Sequence, residues 1–341
     1  MERREAAIAH VSYHLPERRL TNRDLVEEFG TWTEHKIKSK TGIDERPIAG
    51  EDETASVLGA AAAERLFQES GIPRESVDML LLCTETPDYI MPSTACIVHD
   101  KLGLRKDCGA LDYNLGCSGY VYGLYMASSM VKSGMAEKVL LITGDVLTRY
   151  VHPGDKSTRT IFGDGFTATL VSSEPEKVPG TIGSFVLGTD GAGHGNLIIP
   201  AGGTVSPCCE ETKELHTNRY GNSRTKENLY MNGPEVFAFA VREVPPVIER
   251  CLSDNGLTME KIDLFVFHQA TQMMLEKLRE IMEIPEERFV VDMEETGNTV
   301  SSSIPLALKR AQDSGRLKKG DTVLVCGFGV GYSWGATVIQ M

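Results

Sequence analysis

Short hydrophobic runs recur along the chain, and two pairs of them repeat the same order of hydrophobic and polar positions. Residues 71–82 match residues 256–267, and residues 138–142 match residues 322–326. Each run is rich in Leu, Val and Ile and follows a stretch with helical spacing, which is typical of strands buried on both faces of a sheet. The repeat therefore predicts a layered α/β fold made of two similar halves.

The two halves are predicted to meet where Ser172-Ser173-Glu174-Pro175 interrupts the hydrophobic pattern. Clusters of serine and proline are typical of connections between elements. We accordingly place the halves at residues 1–174 and 175–341.

Three longer stretches have the spacing of helices. They are residues 54–70, which are rich in alanine, residues 118–132 and residues 233–255. The second of them is apolar almost all round and is therefore expected at the centre of the fold. By contrast, residues 203–232 are polar and are expected to form an exposed excursion that says little about chemistry.

Composition narrows the class of protein. The chain has 341 residues, of which 41% are hydrophobic and 24% charged, so it can bury a sizeable core. With 35 basic and 48 acidic side chains the net charge is −13, which argues against nucleic acid or an anionic membrane as a partner. No apolar run reaches the roughly 18 residues of a membrane span, and the charged N-terminus is unlike a secretory signal. We therefore expect a cytoplasmic protein.

The eight cysteines form no Cys-x-x-Cys motif and no cluster with histidine at the spacing of a zinc site. Most lie in apolar runs, so reduced thiols that pack as small hydrophobic side chains are expected. Cys117 differs, because it lies between a strand-like run at 109–113 and the apolar helix predicted from about residue 118. At the start of a helix, unpaired N–H groups and the helix dipole favour a thiolate. Taken alone, however, such a cysteine is more often a core residue.

Two polar residues of the second half are further candidates. His268 ends the hydrophobic run 264–267, and catalytic residues of α/β sheets collect at such strand ends. Asn298 lies in Gly297-Asn298-Thr299, a sequence that is usually only a turn. When each residue is considered alone, a structural histidine and a simple turn are the favoured interpretations. Beside Cys117, the histidine would be the partner of the thiol and the asparagine a hydrogen-bond donor to an oxyanion.

The glycine-rich segment at residues 326–335 resembles a dinucleotide-binding motif but is followed by a strand-like run at 336–339. That leaves no room for the βαβ unit that such a site needs, so we reject a nucleotide-binding function. A strand turn that exposes backbone N–H groups is the favoured interpretation.

These segments together form a specific pattern, which also includes residues 41–46, 92–96 and 162–165. With this pattern the chain resembles, nearly end to end, the β-ketoacyl-acyl-carrier-protein synthase III family, condensing enzymes of the thiolase superfamily. The resemblance implies a thiolase-like, five-layered αβαβα fold and a homodimer. It also implies a catalytic triad formed by Cys117, His268 and Asn298.

The chemistry that the resemblance implies uses each of these groups. The Cys117 thiolate would take an acyl group from a thioester, and decarboxylation of a malonyl-type thioester would form an enolate that receives hydrogen bonds from neutral His268 and from Asn298. The backbone N–H groups of Cys117 and Val330 would form an oxyanion hole. No metal or other cofactor is needed, because thioesters of coenzyme A or of an acyl carrier protein are the substrates, in fatty-acid or secondary-metabolite synthesis.

The chain departs from the family where coenzyme A and the carrier protein bind. Residues 36–40 lack the tryptophan of the usual motif, and Lys156 replaces an arginine that covers the adenine. Thr271 and Met273 stand where an asparagine and an arginine usually lie, and Ala238 replaces a basic residue. Weaker coenzyme A contacts and a depleted carrier-docking patch are therefore expected. The residues predicted to bind substrate are Trp32, Lys36, Met91, Lys156, Thr271 and Phe328.

Other functions remain open at this point. One is transfer of an acyl group to a hydroxyl, amine or sugar acceptor without condensation, and another is a non-enzymatic scaffold. Asn298 favours condensation, because simple acyl transfer needs no site for an enolate. A superfamily branch that joins two long acyl chains with an added glutamate base is disfavoured, because residues 89–92 contain no glutamate. A branch that makes hydroxymethylglutaryl thioesters with a Glu-Cys-His set is also placed below the other functions.

Overall fold

The computed structural model describes residues 4–173 and 180–341. The junction predicted between residues 174 and 175 lies outside these described residues. The strands are β1 (Ala7–His14), β2 (Arg19–Thr21), β3 (Glu45–Pro47), β4 (Met79–Cys83), β5 (Gly109–Tyr113), β6 (Lys138–Asp145), β7 (Gly165–Ser172), β8 (Thr181–Thr189), β9 (Leu197–Ile198), β10 (His216–Thr217), β11 (Ser223–Arg224), β12 (Tyr230–Met231), β13 (Leu264–Phe267), β14 (Thr322–Gly329) and β15 (Ser333–Gln340). The α-helices are α1 (Asn22–Phe29), α2 (Glu34–Thr41), α3 (Ala55–Ser70), α4 (Thr94–Lys101), α5 (Gly119–Lys132), α6 (Lys156–Arg159), α7 (Gly233–Asp254), α8 (Gln272–Ile281) and α9 (Ser303–Asp313).

A mixed sheet of nine strands runs through these residues in the order β13-β14-β15-β8-β1-β7-β6-β4-β5. Strands β6, β4 and β5 are parallel to one another, as are β13 and β14, and the other neighbours are antiparallel. The repeated runs of the sequence are β4 and β6 in one half and β13 and β14 in the other. The prediction of two similar halves is therefore confirmed at the level of topology.

The helices form three layers around the strands. Helices α5 and α9 contact strands of both halves and so lie between them, while α3 and α4 cover one outer face and α7 and α8 the other. The central layer is held by buried residues such as Val121, Leu124 and Ile304, which share one hydrophobic cluster with strands of both halves. The predicted five-layered arrangement is confirmed.

The three predicted helices are confirmed to within one residue at each end, as α3, α5 and α7. Helix α5 is central because Tyr120, Val121 and Leu124 are completely buried on successive sides of it. In the part of the chain that the structure describes, no helix is both long enough and apolar enough to span a membrane.

Arg46 ties three parts of the first half together from a fully buried position. Its Nε and Nη2 atoms donate to the Thr160 carbonyl at 3.1 and 2.7 Å, and Nη1 donates to Asn22 Oδ1 at 2.6 Å. A buried guanidinium is costly unless its donors are bonded, so these contacts hold the segment around Thr160 in one place. That segment leads directly to Ile161, which contacts the Asn298 loop described below.

Replacing Arg46 with Met is expected to lower the free energy of unfolding by about 3 kcal/mol, because the Thr160 carbonyl and the Asn22 side chain lose their charged donor. Urea unfolding followed by circular dichroism measures this change. Arg23→Met is the matched control, since Arg23 is exposed and forms its ion pair with Glu27 on the same helix. An equal, small change in both variants would contradict the prediction.

Candidate active site

Cys117 lies in the turn between β5 and α5 and is 5% exposed. A Cβ built on Gly329 would lie 2.6 Å from Cys117 Sγ, so the end of β14 approaches the sulfur in a way that only glycine allows. The neighbouring Ser118 and Ser333 hydroxyls are hydrogen-bonded at 2.7 Å and join the two segments. The glycine-rich segment is thus an antiparallel hairpin against the cysteine, as the sequence predicts, and not a nucleotide loop.

Both N–H groups predicted to form the oxyanion hole, those of Cys117 and Val330, act on the Cys117 sulfur and favour its ionised form. Burial acts more strongly in the opposite direction and raises the pKa of the thiol to about 12, with the charge of Glu85 adding to the effect. The expectation of a resting thiolate is therefore wrong. The start of a helix does not compensate for the loss of water around this sulfur, and the resting group is a thiol.

His268 follows β13 directly and is 1% exposed, at the strand end where the sequence predicts it. Burial lowers the pKa of the imidazole to about 3, so the ring is neutral at physiological pH. Its Nδ1 atom lies 2.7 Å from Ser303 Oγ, which also accepts the Gln269 N–H at 3.3 Å. When that hydroxyl donates its own hydrogen to Nδ1, the ring proton lies on Nε2.

Asn298 is fixed by its backbone and its side chain. Its N–H donates to the Ile161 carbonyl at 2.9 Å, and its carbonyl accepts the Gly163 N–H at 3.1 Å. Its Oδ1 atom accepts the Val300 N–H at 2.9 Å, which turns the amide nitrogen toward His268 Nε2 at 3.4 Å. The amide nitrogen and Nε2 therefore lie next to each other, and Val300 packs in the same hydrophobic cluster as Cys117. The structure brings the three predicted residues together from both halves of the chain.

The wall around Cys117 is hydrophobic and includes part of the segment that the sequence assigns to an exposed excursion. Leu147, Phe162 and Leu229 are buried in one cluster with Cys117, and Met231 packs against it. The prediction for residues 203–232 is wrong at its C-terminal end. Most of that segment is polar, so nothing in the sequence indicated that Leu229 and Met231 pack near Cys117.

Three of the predicted substrate-binding residues lie in one surface cluster around Phe29. The Trp32 ring meets the Phe29 ring edge to face at 6.2 Å, Lys36 Nζ lies 4.8 Å from the Trp32 ring centre, and Lys156 Nζ lies 5.9 Å from the Phe29 ring centre. Sequence reasoning missed Phe29, because the family motif places its aromatic residue elsewhere. The cluster combines flat rings with positive charge, which suits the adenine and phosphate groups of a nucleotide.

The other three predicted substrate-binding residues lie apart from that cluster. Phe328 is buried and meets the His268 ring edge to face at 5.8 Å, so it packs against the triad. The Thr271 hydroxyl accepts the Met274 N–H and caps α8. Met91 is 82% exposed in the single chain.

Ser303 is a second residue that sequence reasoning missed, and Ser303→Ala is expected to lower the rate of condensation about tenfold, or about 1.4 kcal/mol. Without the hydroxyl, Nδ1 loses its donor and the ring proton is no longer held on Nε2. Nitrogen-15 NMR of the histidine ring would detect the altered tautomer, which a merely structural role of Ser303 would not change. Ser314→Ala, at the exposed end of the same helix, is the control, and loss of the same size there would contradict the prediction.

The fold and the site together define a class of protein. The fold is a duplicated α/β fold with a buried cysteine at the start of its central helix. A histidine and an asparagine come from the other half. This combination is that of the thiolase-like condensing enzymes. Two family models match this chain: 3-oxoacyl-[acyl-carrier-protein (ACP)] synthase III over residues 111–191, and the C-terminal part of the same family over residues 252–341.

Comparison with individual proteins gives the family directly. The β-ketoacyl-[acyl-carrier-protein] synthase III of Caldanaerobacter subterraneus subsp. tengcongensis is 37% identical over 345 residues, which cover 99% of this chain and 98% of that protein. That of Roseiflexus sp. (strain RS-1) is 37% identical over 338 residues, 98% of each. The chain belongs to the β-ketoacyl-acyl-carrier-protein synthase III family and is an acyltransferase of the condensing type.

Solved structures agree with this assignment. A crystal structure of a 3-oxoacyl-(acyl-carrier-protein) synthase III has a TM-score of 0.96 and 48% sequence identity over 99% of this chain and 100% of the other. The enzyme from Thermus thermophilus has a TM-score of 0.86 at 37% identity, over 98% and 99% of the two chains. The priming β-ketosynthase of the R1128 polyketide pathway has a TM-score of 0.85 at 31% identity, over 100% and 97%.

Proposed function

We propose that this protein transfers an acyl group from a thioester to Cys117 and condenses it with a malonyl-type thioester, with loss of CO₂, in fatty-acid biosynthesis. The observation that carries the proposal is the convergence of the Asn298 amide nitrogen and His268 Nε2, 3.4 Å apart, next to Val300, which packs in one cluster with Cys117. Two neutral donors at one point suit the oxygen of an enolate, which develops negative charge when a malonyl group loses CO₂.

Each step of the proposed reaction is then carried out by a group of the candidate site. Cys117 Sγ attacks the acyl thioester, and the N–H groups of Cys117 and Val330 bind the oxygen of the tetrahedral intermediate. After the first thiol leaves, the malonyl-type thioester places its carbonyl oxygen between His268 and Asn298. Loss of CO₂ leaves the electron pair on carbon, and that carbon attacks the acyl group on Cys117. The carbon–sulfur bond breaks and the cysteine is regenerated.

The substrates are proposed to be coenzyme A and acyl-carrier-protein thioesters, as the names of the relatives indicate. The cluster of Trp32, Phe29, Lys36 and Lys156 supports binding of the coenzyme A end, with rings for the adenine and ammonium groups for the phosphates. Phe328 and Thr271 would then lie on the path toward Cys117. The reaction would need no further cofactor, and we propose that it takes place in the cytoplasm, which agrees with eight free thiols.

A homodimer is proposed from surfaces that the single chain leaves exposed. Strand β5 is the edge of the nine-stranded sheet, and its Leu111 is 38% exposed. Next to it, Tyr89, Ile90 and Met91 form an exposed hydrophobic loop. An edge strand beside such a loop favours pairing with a second copy. In that dimer Met91 would reach the partner's acyl pocket.

Acyl transfer to a hydroxyl, amine or sugar acceptor is not favoured. Relatives that cover nearly the whole chain are named β-ketoacyl synthases, and one similar structure is named a priming ketosynthase. The paired donors of His268 and Asn298 would also have no use in a reaction without an enolate.

The proposed function is tested by adding a panel of acyl-CoA donors and a malonyl thioester with a labelled carboxyl group. Intact-protein mass spectrometry is expected to show one acyl group on Cys117, and its mass identifies the starter. Labelled CO₂ is expected to be released together with formation of a β-ketoacyl product. Acylation of an added alcohol, amine or sugar without release of CO₂ would overturn the proposal.

A further inference from the structure

Glu85 follows the carboxyl end of a strand in the first half, near the turn that carries Cys117, and has no part in the mechanism above. Strands β6, β4 and β5 are parallel neighbours, so the segments that follow them meet at one edge of the sheet. Cys117 follows β5, Asp145 ends β6, and Glu85 lies two residues after the end of β4. The Glu85 N–H donates to Asp145 Oδ1 at 2.6 Å, which fixes the backbone of Glu85 at this edge.

The Glu85 carboxylate lies against the turn that carries the nucleophile. A Cβ built on Gly116 would collide with Glu85 Oε2 and would lie 2.7 Å from a methyl group of Val330, the residue whose N–H acts on the Cys117 sulfur. Glu85 is half-buried, and no donor among the described residues forms a hydrogen bond with its carboxylate. Asp145 differs, since its two carboxylate oxygens accept hydroxyl groups from Thr84, Thr86 and Ser301.

Acylation of Cys117 requires a base, because the resting group is a thiol. Burial raises the pKa of that thiol to about 12 and lowers the pKa of His268 to about 3, so the imidazole is a weak acceptor for its proton. Burial also raises the pKa of Glu85 to about 7, and it raises the pKa of the adjoining Asp145 well above its usual range, with the Glu85 charge adding to it. A base whose pKa lies near the working pH is the most effective one.

We propose that Glu85 is a catalytic residue of this site and that its carboxylate takes the proton of the Cys117 thiol as the acyl thioester is attacked. The inference rests on the proposed function and adds a group to its first step. The Cys117 sulfur forms a bond to the carbonyl carbon while its proton passes to Glu85. The bond from that carbon to the first sulfur then breaks, the electron pair leaves with that sulfur, and the sulfur takes the proton from Glu85.

The test compares Glu85→Gln with the parent enzyme and with Glu51→Gln, which changes an exposed glutamate of the same half. The probe is the acyl-CoA that acylates the parent fastest in the panel described above. Rapid quenching followed by intact-protein mass spectrometry measures the rate of acylation of Cys117. Glu85→Gln is expected to lower that rate about 100-fold, the usual contribution of a general base, and Glu51→Gln is expected to have no effect.

The opposite result is expected if Glu85 is only a neighbouring charge. The negative charge of Glu85 raises the pKa of Cys117, so its removal makes the thiol easier to ionise. A bystander would therefore give faster acylation and faster alkylation by iodoacetamide in Glu85→Gln. If Glu85 is the base, acylation of Glu85→Gln is slow. Alkylation of the same variant at high pH needs no base and is then as fast as in the parent. The two measurements on one variant separate the two roles.

The pH profile supplies a second readout. The base must be ionised, so the acylation rate of the parent is expected to fall as the pH drops below about 7, and this inflection is expected to be absent in Glu85→Gln. The titratable groups that face Glu85 are Asp145, Cys117 and Cys83. The two thiols stay protonated in this range because burial raises their pKa values. The Glu85 carboxyl group, beside Asp145, therefore accounts for the inflection.

Glu85→Asp keeps a carboxylate and is expected to recover part of the lost rate, which protects the test against a variant that fails to fold. Acylation of Glu85→Gln at or above the parent rate would overturn the inference. If the parent enzyme acylates Cys117 and releases CO₂ but the variant behaves like the parent, only the role of Glu85 fails. If the parent itself shows neither reaction, the proposed function fails first.

Discussion

Cys117→Ala is expected to abolish the acyl-enzyme and to lower the rate of condensation by at least about 10⁴-fold. Loss of the nucleophile removes the intermediate through which both half-reactions pass, and effects of this size are usual for such groups. Intact-protein mass spectrometry after exposure to acyl-CoA should show no added mass in the variant. The rate of β-ketoacyl product formation should fall to the level without enzyme or close to it.

Two other cysteines serve as controls for this experiment. Cys96 and Cys208 are exposed in the single chain and lie outside the cluster around Cys117. Alanine at either position is expected to leave the acylation of Cys117 intact, although each has a more accessible thiol. An acyl group on Cys96 or Cys208 in the Cys117→Ala variant, together with product formation, would contradict the assignment of the nucleophile.

The fold was predictable because the hydrophobic runs that form its strands occur in both halves of the sequence. Buried parallel strands give continuous apolar runs, and the two copies at 71–82 and 256–267 gave both the class and the duplication. The central position of α5 followed from its apolar surface, which no exposed helix would have. The five layers were expected from the family resemblance. Residues 229 and 231 were misjudged, because two apolar side chains at the end of a polar segment give no periodic signal.

The sequence indicated which residues form the candidate site better than it indicated their protonation states. Cys117, His268 and Asn298 are recognisable from their segments, but the charge on Cys117 was predicted wrongly. A sequence shows that a cysteine begins a helix and does not show how much water surrounds its sulfur, which here decides the pKa. For a related reason, the sequence did not single out Glu85 or Ser303 as candidates. Each lies in a segment with no motif of its own and reaches the triad only through the fold.

Asn298→Asp is expected to lower the rate of CO₂ release by about 10³-fold, which corresponds to about 4 kcal/mol. The aspartate keeps an oxygen that accepts the Val300 N–H, so the loop retains its anchor. It replaces the donor that faces the enolate with an acceptor that carries negative charge. Release of labelled CO₂ from the malonyl thioester measures the loss, and acylation of Cys117, which does not use this donor, is expected to fall much less.

His268→Ala and the double variant complete the test of the shared site. Each single change removes one of two donors that point to the same oxygen, so the effects are not independent. Once one donor is missing, the enolate oxygen is no longer held in place for the other, and the double variant is expected to lose far less than the two single losses combined. Strict additivity of the two losses in CO₂ release would mean that the donors act on different atoms. In that case the convergence of His268 and Asn298 would not be the basis of decarboxylation.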